Sequence, residues 1–294
     1  MFRMKKASCL IIFLIFFSAA FSRLEAAGLS VSPGGFIVNN VTPGITYNLY
    51  EKSGLKLSIF NKDDAGHIFP LSVHKPLEVG RMEKGYLEIP DSSWCWFEKD
   101  EIKIGPREVG YGNLFIKIPE GEEYYNQHWV ATLAIMQKRG KGIGLGLRIN
   151  VRVQIETESK DDVKGKPAGI IAFKPSTLRF EDVSPGGAQK GSVTIYNNDN
   201  KTHVYKITSL LHSLKEGKQR TYLTGSYKMI PDLKWIALDQ DSLKIKPQSS
   251  CVLSLKLNIP DKPEYHGKKW EELFLVEPEE GLPGFIRVRI SDKE

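Results

Sequence analysis

Short runs that alternate apolar and polar residues, each stopped by Pro, Gly, Asn or Asp, fill this chain from Leu29 onward. Leu55-Lys56-Leu57-Ser58-Ile59-Phe60 ends in Asn61-Lys62-Asp63-Asp64, and Ser192-Val193-Thr194-Ile195-Tyr196 ends in Asn197-Asn198-Asp199-Asn200. A period of two puts every second side chain on one face of a strand, and Asn/Asp clusters supply the turn that follows. Further strands are expected at Ile68 to Val73, Val204 to Ser209, Leu114 to Pro119, Val252 to Pro260, Trp129 to Ile135, Leu273 to Val276, Leu145 to Ile155 and Phe285 to Ile290. No stretch keeps a helical period, apart from room for one turn near Leu210 to Lys215. The pattern predicts an all-β protein. Residues Tyr50 to Gly54 read as the extra length of a hairpin.

The strands come in two similar sets. A shift of 141 residues carries Tyr86, Pro90, Asp91, Trp94, Pro106, Pro119, Tyr124 and Trp129 onto Tyr227, Pro231, Asp232, Trp235, Pro247, Pro260, Tyr265 and Trp270 without a gap. The openings match as well: Val41-Thr42-Pro43-Gly44 and Val183-Ser184-Pro185-Gly186 are both Pro-Gly turns. About seven strands per copy, with turn signals between them, is the pattern of an immunoglobulin-like sandwich, so the fold class is two tandem immunoglobulin-like β-sandwich domains. Trp129 and Trp270 are expected to fill the two cores. The domains divide as 28–156 and 169–294, joined by a charged linker at 157–168 on which they are expected to pivot.

What precedes Gly28 differs from the rest. Arg3, Lys5 and Lys6 lead an apolar run from Leu10 to Phe17, followed by small residues up to Ala27, the pattern of a secretory signal peptide over residues 1–27. The run is shorter than the roughly 20 residues of a membrane span. Cleavage is expected near Ala27, with Ser22 the alternative. That segment holds four basic residues, Arg3, Lys5, Lys6 and Arg23, and one acidic, Glu25, so its removal takes the net charge from +6 to +3. Such a charge points to neither nucleic acid nor membrane insertion of the mature chain. A periplasmic or extracellular location is the expectation. Cys95 and Cys251 then remain, in different copies at non-equivalent places, and read as structural thiols rather than a disulfide pair.

Candidate chemistry is sparse. The series Gly140, Gly142, Gly144, Gly146 is followed by a strand, not by the helix whose N-terminus a nucleotide phosphate needs, so it reads as a cationic hairpin tip with Lys138, Arg139 and Lys141. The histidines show no metal-ligand spacing, and His67 and His203 share a place at the start of a strand. Neither Asn/Asp turn has the ligand alternation of a calcium loop, so no metal or cofactor is expected. No G-x-S-x-G elbow occurs, and the glutamates near Glu120 and Glu277 read as loop-tip charges; an enzyme is not expected. Aromatic residues such as Trp94, Trp96 or Tyr124-Tyr125 offer a sugar-stacking platform, the basis of an alternative role in binding cell-wall polymer or glycan.

The longest strict alternation is Leu145, Leu147, Ile149, Val151, Val153, Ile155. Taken with the Asn-terminated second strand, the Trp94 and Trp235 segments before Ile102-Lys103-Ile104 and Leu243-Lys244-Ile245, and the Ile-Pro steps at Pro119 and Pro260, it resembles the PapD-like superfamily, which includes periplasmic pilus chaperones. The resemblance implies two sandwiches behind a signal peptide, with the last strand of the first domain lending its alternating apolar residues to an incomplete subunit, a use of strand addition. On that reading Leu145, Leu147, Ile149, Val151 and Val153 bind a secreted or surface protein subunit. The basic pair that such chaperones place in the interdomain cleft has no early Arg here near Val31 to Val38, and Arg152 supplies only part of it.

Overall fold

The computed structural model describes residues 28–79, 81–137, 146–215 and 218–292. The expected leader at 1–27, the glycine series at Gly140, Gly142 and Gly144 with its flanking cations, and Leu145 lie outside them. The first sandwich is built from β1 (Leu29–Ser32), β2 (Gly35–Val41), β3 (Thr46–Asn48), β4 (Leu57–Asn61), β5 (His67–His74), β6 (Leu87–Glu88), β7 (Cys95–Phe97), β8 (Glu101–Ile104), β9 (Val109–Gly112), β10 (Leu114–Lys117), β11 (His128–Met136) and β12 (Arg148–Thr157). The second contains β13 (Ile171–Lys174), β14 (Thr177–Phe180), β15 (Ala188–Asn197), β16 (His203–Ser209), β17 (Lys228–Met229), β18 (Ile236–Leu238), β19 (Ser242–Ile245), β20 (Ser249–Asn258), β21 (Lys269–Pro278) and β22 (Gly284–Ser291). The segments outnumber the seven expected per copy because the opening strand of each copy leaves one sheet for the other near Pro33 or Pro175, and because short pieces such as β6 and β17 add to a longer neighbour.

In the first sandwich the order β2-β12-β11-β5-β8 faces a layer made of β1-β4-β9 and β3-β10-β7. In the second, β14-β22-β21-β16-β19 faces β13-β15-β20-β18. Inward residues follow the alternation read from sequence: Leu57 and Ile59 in one copy, Val193 and Ile195 in the other, all fully buried. Trp129 and Trp270 do fill the two cores. Each meets a Trp and a Tyr edge to face, Trp94 with Tyr124 and Trp235 with Tyr265, with ring centroids 4.7–6.2 Å apart.

Residues Tyr50 to Gly54 are not a longer hairpin. Leu49–Ser53 forms a short helix, α1, because the Asn48 side chain accepts from the backbone N–H groups of Tyr50 and Glu51, and Gly54 closes it at φ +70°. The asparagines that end β4 and β15 do more than tolerate a turn. Asn61 Nδ2 donates to the carbonyls of Ala65 and Gly105 at 2.8 Å, and Asn197 Nδ2 to those of Lys201 at 2.7 Å and Lys246 at 3.1 Å. Both side chains are fully buried, and each gathers a knot of backbone carbonyls at a strand end. His67 and His203 complete the same device by bonding Asp63 and Asp199, each at 2.7 Å.

The linker is tied to both sandwiches. Buried Asn126 donates from Nδ2 to the Lys160 carbonyl at 2.7 Å, and its Oδ1 accepts from the backbone of Lys160 and of Ser176, each at 3.0 Å. Ser159 Oγ accepts from Thr177 N, and Ala168 N donates to Glu123 O. A charged composition had implied a pivot. The backbone polar groups of this stretch instead find fixed partners.

Replacing Asn61 or Asn197 by Ala strands buried carbonyls, and each change is expected to cost about 1–3 kcal/mol, read as a lower urea midpoint at unchanged slope.

Candidate functional site

The strand of greatest interest, β12, meets different surroundings along its length. Its whole length pairs antiparallel with β11 on one side. On the other side β2 pairs in parallel, but only from Arg152 onward, Arg152 lying opposite Gly35. Among the described residues, no strand pairs with that second edge at Arg148 to Val151.

The apolar row divides accordingly. Val151, Val153 and Ile155 are fully buried in the first core, while Leu147 and Ile149 are half-buried. Val151 and Val153 are thus placed within their own sandwich, because β12 turns its apolar side inward like every other strand. Leu145 lies outside the described residues. What stands open is a four-residue backbone edge, with Leu147 just before it and Ile149 within it.

The polar row of β12 is exposed at Arg148 and Asn150, half-buried at Arg152 and buried at Gln154 and Glu156, where it meets the second sandwich. Glu156 is buried against Arg287 of β22, which donates from Nε at 2.9 Å and from Nη2 to its two carboxylate oxygens. Arg287 Nη1 sits 2.8 Å from Glu271, and Glu271 accepts from Arg289 Nε at 2.9 Å. Tyr86 donates its hydroxyl to Glu156 at 2.6 Å, and Thr224 donates to both oxygens of Glu271. Signs alternate along Glu156, Arg287, Glu271 and the partly exposed Arg289, which is what lets the three buried charges lie together out of water. Around them Tyr86 and Val130 of one unit pack with Leu210, Leu211, Tyr222, Leu273, Leu275 and Phe285 of the other as a core of their own. Gly85, at φ +85°, brings the first unit so close to Phe285 that a Cβ would lie 2.7 Å from the ring.

This environment shifts the titrating groups. Burial alone would raise the Glu156 carboxyl, but Arg287, His128 and the hydrogen bonds from Arg287 and Tyr86 outweigh it and hold the group at about 2. His128, stacked on Phe285 at 4.0 Å, is pushed down by burial to about 4 and is therefore neutral at ordinary pH. Farther out, Tyr222 donates to Glu83 at 2.7 Å, and Glu83 pairs with Arg152. The one arginine that the sequence offered for binding a carboxylate is thus already engaged by the protein's own glutamate. Sequence reasoning missed this junction, although Glu271-Glu272 inside an apolar strand and the Arg287, Arg289 alternation were visible signs of a polar face that had to be buried against something.

A second cluster, Ser209, His212 and Glu272, resembles a hydrolytic triad in residue type alone. Glu272 Oε2 bonds His212 Nδ1 at 2.9 Å, and Ser209 Oγ bonds Glu272 Oε1 at 2.9 Å. Serine and carboxylate therefore meet on the same side of the ring, and no second ring nitrogen reaches the hydroxyl to take its proton. Burial raises the Glu272 carboxyl. Cys95 is buried, its thiol pushed up by burial to about 12, and Cys251 is half-buried; both are free.

No protein-family model matches the chain, and no curated protein does. Solved structures do, at low identity and low TM-score. A protein of unknown function from Porphyromonas gingivalis W83 is 14% identical over 90% of this chain and 99% of its own, with a TM-score of 0.35. The Escherichia coli chaperone DraB is 10% identical over 90% of this chain and 98% of its own, at 0.30. A chain of the Salmonella enterica SafA pilin complex with the SafB chaperone is 10% identical over 90% and 97%, at 0.31. Among the described residues, no helix is long and apolar enough to cross a membrane.

Two outcomes follow at the junction. Arg287→Leu leaves Glu156 and Glu271 buried without their shared cation and is expected to cost about 3–5 kcal/mol, measured by denaturant unfolding. Both His128 and Glu156 have depressed folded values, so their stabilisation is present at high pH. It falls as His128 is outcompeted between pH 6.5 and about 4, and falls again as Glu156 is protonated between pH 4.5 and about 2. In melting curves across pH, His128→Phe should remove the first decline and leave the second.

Proposed function

We propose that this chain is an exported, non-enzymatic protein-binding protein of the periplasm or cell surface, which captures an extended segment of a secreted or surface subunit by strand addition, as an assembly chaperone does. The observation that carries this reading is the open edge of β12 at Arg148 to Val151, beside half-buried Leu147 and Ile149.

Several features suit that edge to its task. One side of the strand is held by β11, from Met136 opposite Arg148 onward. Just downstream, Arg152 and Glu156 anchor the same strand to Glu83 and to Arg287. The edge is therefore rigid before any partner arrives, and binding does not bear the cost of ordering it. A guest strand lying on four residues would gain about four ladder hydrogen bonds at roughly 1 kcal/mol net each, with specificity from the side chains that meet Leu147 and Ile149. The partner's contacts fall on the first sandwich, and the second acts as its brace. Val151 and Val153 contribute by keeping the strand flat against its core.

The test is affinity capture by the full chain from an envelope extract of the native host, with mass spectrometry of what is retained and hydrogen exchange on the complex. One or two small secreted subunits in equimolar amount, with slowed exchange at residues 148–151, are expected. Leu147→Asp and Ile149→Asp, both at partly exposed positions that leave the buried row intact, should reduce capture at least tenfold. Retention of wall polymer alone, or capture unchanged in both variants, overturns the reading.

A further inference from the structure

The two sandwiches share one frame, so whatever only one of them carries is not required by the frame. In the first, the pairs Cys95 with Ile116, Trp96 with Phe115 and Phe97 with Leu114 join β7 to β10. In the second, Ile236 with Leu257, Ala237 with Lys256 and Leu238 with Leu255 join β18 to β20 in the same register. The inward members are apolar in both copies. The outward pair is Trp96 and Phe115 in one and Ala237 and Lys256 in the other.

Trp96 is 38% exposed, and its ring lies nearly parallel to that of Phe115, with centroids 5.7 Å apart and 15° between planes. The second sandwich folds with Ala at this place, so the tryptophan is not there to hold the sheet. An exposed aromatic pair that the fold does not need marks a contact surface.

Beside the pair runs an open groove of about 460 Å³, lined by Gly44, Ser93, Trp94, Trp96, Lys117, Pro119 and Glu120. Its floor is again common frame: Gly44 at φ +87° and Gly186 at φ +83° occupy the same Pro-Gly turn, and Trp94 corresponds to Trp235. Lys117 is exposed, and neither Lys117 nor Glu120 has a hydrogen-bond or ion-pair partner among the described residues. The groove therefore combines a flat aromatic wall with one free donor and one free acceptor, the composition of a small-ligand site.

We propose that this groove is a saccharide subsite, in which a pyranose ring lays its apolar face on Trp96 and its hydroxyls bridge Lys117 and Glu120. The electron-rich face of an aromatic ring attracts polarised C–H groups, and an indole matches a pyranose in size. Aromatic grooves also take proline-rich peptides, but such a peptide presents its carbonyl acceptors, which the Glu120 carboxylate would repel. Sugar hydroxyls both donate and accept, and so satisfy cation and carboxylate together. The groove lies on the β3-β10-β7 layer, opposite the layer that contains β12, so it stands independently of strand addition.

The test uses the full chain and nuclear magnetic resonance of the indole N–H groups, with the Trp96 signal assigned from Trp96→Ala. The probes are the methyl pyranosides of glucose, galactose, mannose and N-acetylglucosamine, β-1,4-linked N-acetylglucosamine oligomers, and a proline-rich decapeptide. At least one saccharide should shift the Trp96 signal saturably with Kd about 1 mM or tighter. Response to the N-acetylated sugars alone points to wall polymer, and response to the neutral hexosides points to other glycans. Trp96→Ala should remove binding without changing the melting temperature, since Ala237 fills the equivalent place. Lys117→Ala and Glu120→Gln should each weaken binding several-fold, and Ile149→Asp should leave it unchanged. No shift with any saccharide, or a shift with the peptide alone, overturns the proposal.

Discussion

Everything else in this molecule is arranged about the ion chain Glu156, Arg287, Glu271, Arg289. Removing Glu156, Arg287 and Glu271 from water is costly, and the cost is offset only because each charge meets its opposite at hydrogen-bonding distance and Tyr86, Tyr222 and Thr224 take up the remaining valences. Such an arrangement tolerates little change in relative position. A shift of an ångström between the sandwiches would leave a buried charge unpaired, whereas a purely apolar seam could slide at small loss. The chain thereby fixes the angle between two units that a linker alone would have left free.

The same contacts organise β12. From Arg152 onward this strand has β11 on one edge, β2 on the other, its own core beneath and the second sandwich above. Before Arg152, no strand among the described residues pairs with the second edge. Open edges are hazards that proteins usually shorten or cover. This one is kept short, four residues, and stiffened by what lies downstream, which distinguishes a prepared docking edge from a frayed end.

Duplication makes the division between scaffold and specialisation visible. The asparagine knots at Asn61 and Asn197, the Trp-Trp-Tyr clusters and the Pro-Gly turns recur because each satisfies a demand of the sandwich itself: stranded carbonyls, core volume, a left-handed residue. Features found in one copy only, such as Trp96 with Phe115, answer to something other than folding. In the second sandwich, Lys256 stands where Phe115 stands in the first, whereas the late start of edge pairing is shared, β22 meeting β14 only from Arg287 onward as β12 meets β2 only from Arg152.

By itself the sequence determined the all-β class, the two copies, most strand positions, and the inward residues from Leu57 to Val288, because a period of two and the turn chemistry of Pro, Gly, Asn and Asp act over a few residues at a time. It also marked β12 as unusual. Alternation shows that a strand has two unlike faces, not which face meets a partner, and Val151 and Val153 face their own core. Nor could local pattern show that Glu156 on the opposite row would be buried too, since Glu156 and Arg287 are 131 residues apart and look like surface charges until the two sheets meet. The linker's ties were out of reach for the same reason, since Asn126, which bonds Ser159 and the backbone of Lys160, lies more than 30 residues away in the chain. Tertiary structure decided the junction, the position of the open edge and the placing of Trp96 outside the core, because each depends on which sheet faces are covered by elements distant in the chain.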